Sequence, residues 1–102
     1  MTIFSQILNV VSLIPKGKIT TYGEISRFLN LNNPRIVGFA LHTNTDPVKY
    51  RCHRVVKKDG VLASGYVFGG EKVQKRKLEQ EGIKFKSGKV DIEKYLFKLS
   101  DK

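Results

Sequence analysis

A single cysteine, Cys52, is followed directly by His53, one of only two histidines in the 102-residue chain, with Arg51 and Arg54 on either side. A thiol beside an imidazole can do nucleophilic chemistry, because the thiolate is the attacking species and a neighbouring base can take its proton. Lys49, Arg51, Arg54, Lys57 and Lys58 crowd the same stretch, and positive potential of that kind is expected to lower the thiol pKa. Two considerations pull the other way. Free cysteine is among the most buried residue types and usually packs as a small hydrophobe. Adjacent residues of a regular strand also point to opposite faces, so His53 meets the sulfur only if the chain turns here or if water joins the two.

Several elements must position this segment. Ile3, Phe4, Ile7, Leu8, Val11 and Ile14 recur at helical spacing, which predicts an amphipathic helix over residues 3–13 with Thr2 as its cap. Pro15-Lys16-Gly17-Lys18 breaks the pattern. Thr21-Tyr22-Gly23-Glu24 matches a capping box and opens a short second helix that buries Ile25, Phe28 and Leu29. After the turn Asn30-Leu31-Asn32-Asn33, Asn33 as cap and Pro34 at the first helical position predict a third helix over residues 34–42. Two short helices joined by such a turn have the outline of a helix-turn-helix.

Beyond Cys52, Val55-Val56 and Val61-Leu62 bracket Lys57-Lys58-Asp59-Gly60, and Asp-Gly between apolar pairs predicts a two-stranded wing. Residues 63–70, with Gly65, Gly69 and Gly70 around Tyr66 and Phe68, read as a loop with close backbone approach. As a phosphate cradle it lacks the lysine and hydroxyl spacing of a Walker motif. Residues 71–81 read as a charged helix stopped by Gly82, with a thin stripe of Val73, Leu78 and Ile83 and a solvated face of lysines. A turn at Ser87-Gly88 and a last short helix from about Asp91, carrying Ile92, Tyr95, Leu96 and Leu99, complete the chain. The expected fold class is mainly α: one small winged-helix-like helix-turn-helix domain over residues 1–102, with a short β-hairpin.

A net charge of +10 and a pI near 9.9 on so small a chain point to a polyanionic partner, nucleic acid first. The basic residues are spread along the chain rather than gathered on one amphipathic helix, and no apolar run is long enough to span a bilayer, so no membrane role is expected. One cysteine cannot form an internal disulfide, and one cysteine with two histidines cannot build an ordinary structural zinc site. The N-terminus, Met1-Thr2-Ile3-Phe4-Ser5-Gln6, has no basic n-region and no signal-like apolar block. A cytoplasmic monomer is expected, nucleoid-associated or, in a eukaryote, nuclear.

Taken in order, Ile14-Pro15-Lys16-Gly17-Lys18-Ile19-Thr20-Thr21-Tyr22-Gly23-Glu24-Ile25-Ser26, then Arg35-Ile36-Val37-Gly38-Phe39-Ala40-Leu41 with Asn44, Cys52-His53-Arg54-Val55-Val56, Tyr66 with Gly69-Gly70, and Glu81-Gly82 resemble the DNA-binding and active-site domain of O6-alkylguanine-DNA alkyltransferases. The resemblance covers residues 3–85. It implies a helix-turn-helix that enters the minor groove and flips the damaged guanine out of the stack, since an alkyl group on O6 is buried in paired duplex. By matching position, Arg35 would intercalate where the base left, Tyr22 would turn the phosphate backbone, and Gly38 would lie on the DNA-binding helix. Leu41, Pro47, Val55 and Tyr66 would line the pocket, and Asn44 would shape the loop before the active site. Cys52 would take the alkyl group irreversibly as a thioether. His53 would be linked to the thiol through a water and oriented by Glu81. No cofactor and no metal are implied.

Three departures from the family pattern stand out. Arg51 occupies the position before the cysteine where proline is usual, which adds a charge and frees a backbone N–H. Val67 and Phe68 separate Tyr66 from Gly69 where one small residue is usual. The separate N-terminal domain common in the full-length proteins has no counterpart in these residues. A second reading follows, because the tail Gly88-Lys89-Val90-Asp91-Ile92-Glu93-Lys94-Tyr95 resembles that of alkyltransferase-like proteins. These bind O6-alkylguanine without transfer, signal to nucleotide excision repair proteins, and replace the cysteine that is intact here. A third reading, a plain helix-turn-helix regulator with an incidental buried thiol, does not need Cys52-His53, Tyr66 and Arg35 together.

Overall fold

The Thr2 hydroxyl accepts the Ser5 amide at 3.1 Å and starts helix α1, Ile3–Val11. The computed structural model describes residues 2–62 and 66–99. Helix α1 ends two residues before the predicted helix does, because the Leu13 and Ile14 amides bond three residues back, to Val10 and Val11, and tighten the last turn. Ile7, Val10, Val11 and Ile14 are buried.

Strand β1, Thr20–Thr21, leads straight into helix α2, Tyr22–Phe28, with Thr21 as its cap. The Thr21 hydroxyl takes the Glu24 amide at 3.0 Å, as the capping box requires, while the Glu24 carboxylate pairs forward with Arg27 at 2.7 Å. Asn30, at φ 59°, turns the chain. Asn33 Oδ1 then accepts the Arg35 amide at 3.0 Å to open helix α3, Arg35–His42. Helix α3 packs on both α1 and α2, which is the helix-turn-helix corner.

The wing lies elsewhere than the Asp59-Gly60 signal suggests. Strand β2, Val55–Val56, pairs in parallel with β1, in the register Thr20 to Val55 and Thr21 to Val56. A tight turn does form, with the Gly60 amide on Lys57 O and the Lys57 amide on Val61 O. However, Val61 bridges Lys89 and the Val90 amide bonds Gly60 O. The antiparallel hairpin is β3–β4, Phe85–Lys86 with Lys89–Val90. Its turn, Ser87-Gly88, has both central residues at positive φ, the backbone twist that two-residue hairpins favour. Val55 and Val56 are both fully buried, one in the cluster around Ile7, Ile25 and Val37 and the other in the cluster around Ile19, Leu78 and Ile83. Two-sided burial calls for a covered strand, not a solvated hairpin.

Gly60 lies directly against the backbone of Val90 in β4. At φ 87°, a Cβ there would lie 2.1 Å from Val90 O. Gly60→Ala is expected to destabilise by at least about 2–3 kcal/mol, read as a fall of more than roughly 10 °C in Tm. Gly82→Ala, at φ 93° but with open space around it, is expected to cost only about 1 kcal/mol.

Helix α4, Gly70–Gln80, is followed by Gly82 at φ 93°, and α5, Ile92–Tyr95, is capped by the Asp91 side chain. The face of α4 turned inward carries Gln74 and Leu78, both buried. Gly65, part of the expected glycine-rich loop, lies outside the described residues.

Candidate functional site

Cys52 sits at the start of a 3₁₀ turn, Cys52–Arg54, between the loop that leaves α3 and strand β2. The loop is built by side-chain bonds to backbone. Asn44 Oδ1 accepts the Asp46 amide at 2.9 Å, and Asp46 Oδ1 accepts the amides of Val48 and Lys49. Asn44 Nδ2 donates to Tyr50 O at 2.8 Å and to Cys52 Sγ at 3.4 Å. The 3₁₀ turn is the bend that a thiol and an adjacent imidazole need if both are to serve one reaction.

The thiol, 3% exposed, lines a cavity of about 430 Å³. Tyr22, Arg35, Gly38, Leu41 and Tyr66 line the same cavity, each of them picked out in the sequence. Phe39, His42, Lys57, Val67 and Gln74 also border it. Two residues expected at the pocket lie elsewhere. Val55 is fully buried in the core cluster that includes Cys52. Pro47 lines a second cavity of about 390 Å³, together with Arg51, His53, Lys77 and Glu81. Val55 is held in strand β2 against β1, and Pro47 belongs to the loop closed by the bond from Asn44 to Tyr50 O. Of the departures, Arg51 Nε is spent on Val48 O at 2.8 Å. Phe68 meets Tyr66 edge to face at 5.8 Å, and Val67 stands at the cavity, 40% exposed.

His53 Nε2 lies 2.9 Å from Glu81 Oε2. Arg54 grips both oxygens of the same carboxylate, Nε to Oε1 at 2.9 Å and Nη2 to Oε2 at 2.7 Å, and its Nη1 donates to Ile14 O at 2.6 Å. Burial alone would raise the Glu81 carboxyl, but the hydrogen bonds and charges of Arg54 and His53 bring it below its ordinary value. Burial lowers the His53 pKa, more than the Glu81 bond and charge raise it. At neutral pH the imidazole is therefore neutral. A carboxylate only accepts, so Nε2 carries the hydrogen and Nδ1 is the free acceptor, with no protein partner among the described residues.

The thiol does not follow the expectation drawn from its charged neighbours. Burial raises the Cys52 pKa, offset in part by the Asn44 hydrogen bond, a backbone hydrogen bond and the charge of Lys77. Arg54, two residues on in the sequence, is paired with Glu81. Tyr22 is pushed up to about 12 by burial and by the nearby Cys52, so it remains a phenol that can donate. Alkylation of Cys52 by iodoacetamide should keep accelerating as pH rises past 9. Asn44→Ala removes a donor to the sulfur and is expected to slow that reaction roughly threefold to tenfold at about pH 8.

Two side chains that the sequence does not single out join the site. Gln74 Nε2 donates to His53 O at 3.0 Å and Val55 O at 3.1 Å, tying α4 to the active turn. Lys77 Nζ donates to Tyr66 Oη at 2.8 Å. Gln74, Lys77, Leu78 and Glu81 are spaced i, i+3, i+4, i+7, a single helical face, and that spacing was the available signal.

Residues 2–83 match the family model for the DNA-binding domain of 6-O-methylguanine DNA methyltransferase. The methylated-DNA–protein-cysteine methyltransferase of Methanothermobacter thermautotrophicus is 44% identical over 78 residues, covering 76% of this chain and 43% of that protein. Alkyltransferase-like protein 1 of Schizosaccharomyces pombe is 30% identical over 101 residues, covering 93% of this chain and 94% of that one. Among solved structures, S. pombe Atl1 in complex with damaged DNA containing O6-carboxymethylguanine superposes with a TM-score of 0.82 at 30% identity, over 93% of this chain and 94% of the other. The O6-methylguanine-DNA methyltransferase of Pyrococcus kodakaraensis gives 0.68 at 32% identity, over 81% and 47%. The chain spans between 33% and 56% of the length of the first curated methyltransferases it matches.

Proposed function

The chain belongs to the 6-O-methylguanine DNA methyltransferase family, and from that premise we propose that it removes an alkyl group from O6 of guanine by transferring it to Cys52. The observation that carries the proposal is the thiol at the wall of the 430 Å³ cavity, next in the chain to His53, whose Nε2 is held by Glu81. The extrahelical guanine occupies that cavity. The thiol proton passes through one water to His53 Nδ1, and the imidazolium that forms is stabilised by the Glu81 carboxylate. The sulfur attacks the alkyl carbon, the carbon–O6 bond breaks, and its electron pair stays on the purine, which takes up a proton. A thioether is a poor leaving group, so each molecule reacts once.

Arg35, exposed at the first turn of α3 and bordering the cavity mouth, fills the space left by the base, while Lys57 adds positive charge along the same rim. Tyr22 borders the cavity as a phenol and meets the rotated phosphate.

The alternative is lesion binding without transfer, as a signal to excision repair. Two observations favour it: the raised thiol pKa, and the near full-length match to an alkyltransferase-like protein. The decisive experiment incubates the protein with a duplex bearing O6-methylguanine and measures intact protein mass and the modified peptide. A gain of one methylene on Cys52 is expected. Tight lesion binding with no gain, in protein whose thiol is shown to be free, overturns the transfer reading. Equal affinity for damaged and undamaged duplex overturns both.

A further inference from the structure

Lys77, in the last turn of α4, reaches Tyr66 at the wall of the cavity. Its Nζ donates to Tyr66 Oη at 2.8 Å and lies 5.3 Å from the Tyr66 ring centroid and 5.9 Å from that of Phe68. These two rings meet edge to face at 5.8 Å. The ammonium is thus held by a hydrogen bond to the Tyr66 hydroxyl and by the Phe68 ring beside it. An ammonium has three donors and no acceptor, so the Tyr66 oxygen must be the acceptor in this bond. The phenol's own proton has to point elsewhere. Tyr66 is 8% exposed and borders the same cavity as Cys52, and among the described residues Lys77 is its hydroxyl's hydrogen-bond partner.

We propose that Lys77 is a positioning residue that occupies the Tyr66 oxygen and so aims the Tyr66 proton into the cavity, where it donates to an acceptor atom of the extrahelical purine. The proposal rests on the alkylguanine-binding reading above. A purine presents acceptors at O6 and its unprotonated ring nitrogens. When the sulfur–carbon bond forms and the carbon–O6 bond breaks, negative charge moves onto the purine. A donor already aimed at it stabilises that charge with no reorganisation. The cation on the oxygen polarises the O–H and strengthens the donation. Tyr66 supplies a hydrogen bond only and keeps its proton. The thiol proton leaves through His53, as above.

Lys77 also acts on the thiol directly, since its charge opposes the burial that raises Cys52. The two effects separate in experiment. Single-turnover transfer from an O6-methylguanine duplex is measured for wild type, Lys77→Met, Lys77→Arg, Tyr66→Phe and the Lys77→Met/Tyr66→Phe double variant. Each rate is divided by the same variant's rate of alkylation by iodoacetamide, which reports thiolate but needs no purine contact. Lys77→Met and Tyr66→Phe should each lower the normalised rate about tenfold, the value of one lost hydrogen bond. The double variant should fall no further, and Lys77→Arg should restore most of the rate. A normalised Lys77→Met rate equal to wild type, or a double variant slowed by the product of the two single effects, overturns the proposal.

If wild type transfers nothing, it is the transfer reading that fails. Affinity for the same duplex, measured on Cys52→Ala backgrounds, then decides the Tyr66 proposal. A shared, non-multiplying loss for O6-methylguanine duplex with none for undamaged duplex supports it, and unchanged lesion affinity overturns it.

Discussion

Cys52→Ala is expected to abolish the methylene gain completely while leaving affinity for an O6-methylguanine duplex within about twofold of wild type, because the small apolar replacement removes the nucleophile and little contact area. Arg35→Ala should behave differently. Arg35 is exposed on the first turn of α3 at the edge of the cavity, so its loss is expected to weaken binding about tenfold or more, and to slow transfer only through that loss of bound complex. Titration by fluorescence anisotropy, with intact mass measured on the same samples, separates the two variants. If Cys52→Ala still gained mass, the alkyl acceptor would be another residue. If Arg35→Ala bound damaged duplex as wild type does, the base gap would be filled by a different side chain. The binding should fall steeply with salt, as expected where cations on the protein replace counterions of the phosphates.

Arg54→Met should produce the largest loss of stability. Arg54 is 5% exposed, and its guanidinium satisfies both oxygens of Glu81, whose side chain is 10% exposed, and the Ile14 carbonyl. Removing one partner of such a pair leaves a buried carboxylate facing only a neutral imidazole, at a cost of about 3–5 kcal/mol, or a Tm lower by roughly 15 °C or more. Glu81→Gln in the same background should recover part of the loss, since the uncompensated charge is gone. Thermal melts of the two variants test this.

The same cluster makes the fold sensitive to acid. His53 titrates lower in the folded chain than its ordinary 6.5, so the unfolded chain binds more protons and stability declines as pH falls below about 6.5. Glu81, also lowered, holds its contribution above the ordinary carboxylate value and loses it as pH falls through the depressed one. Both effects have the same sign. Denaturant midpoints should fall steadily between about pH 6.5 and pH 4, and Arg54→Met should weaken the lower part of that dependence.

The helices could be read because their signals are local. Thr2, Thr21, Asn33 and Asp91 each bond an amide two or three residues on, and apolar spacing of three and four residues marks the buried side. The hairpin lies at a different turn from the one the sequence predicts, because Asp59-Gly60 carries the same local chemistry as a hairpin. What recruits Val55–Val56 instead is β1, more than thirty positions earlier. Lysines on α4 read correctly as a solvated face only for those off the line of Gln74, Lys77, Leu78 and Glu81.

The sequence alone determined the family, the cysteine with its adjoining histidine, the helix-turn-helix and the positive charge suited to DNA, because these depend on residue type, order and short-range spacing. Tertiary structure decided how the thiol is poised. Cations next to Cys52 in the chain turned out to be engaged elsewhere, Arg54 by Glu81 and Arg51 by the Val48 carbonyl. Lys77, twenty-five positions away, is the cation whose charge offsets the burial of the sulfur. Electrostatic energy depends on distance through space and on loss of water, and neither can be counted along a chain.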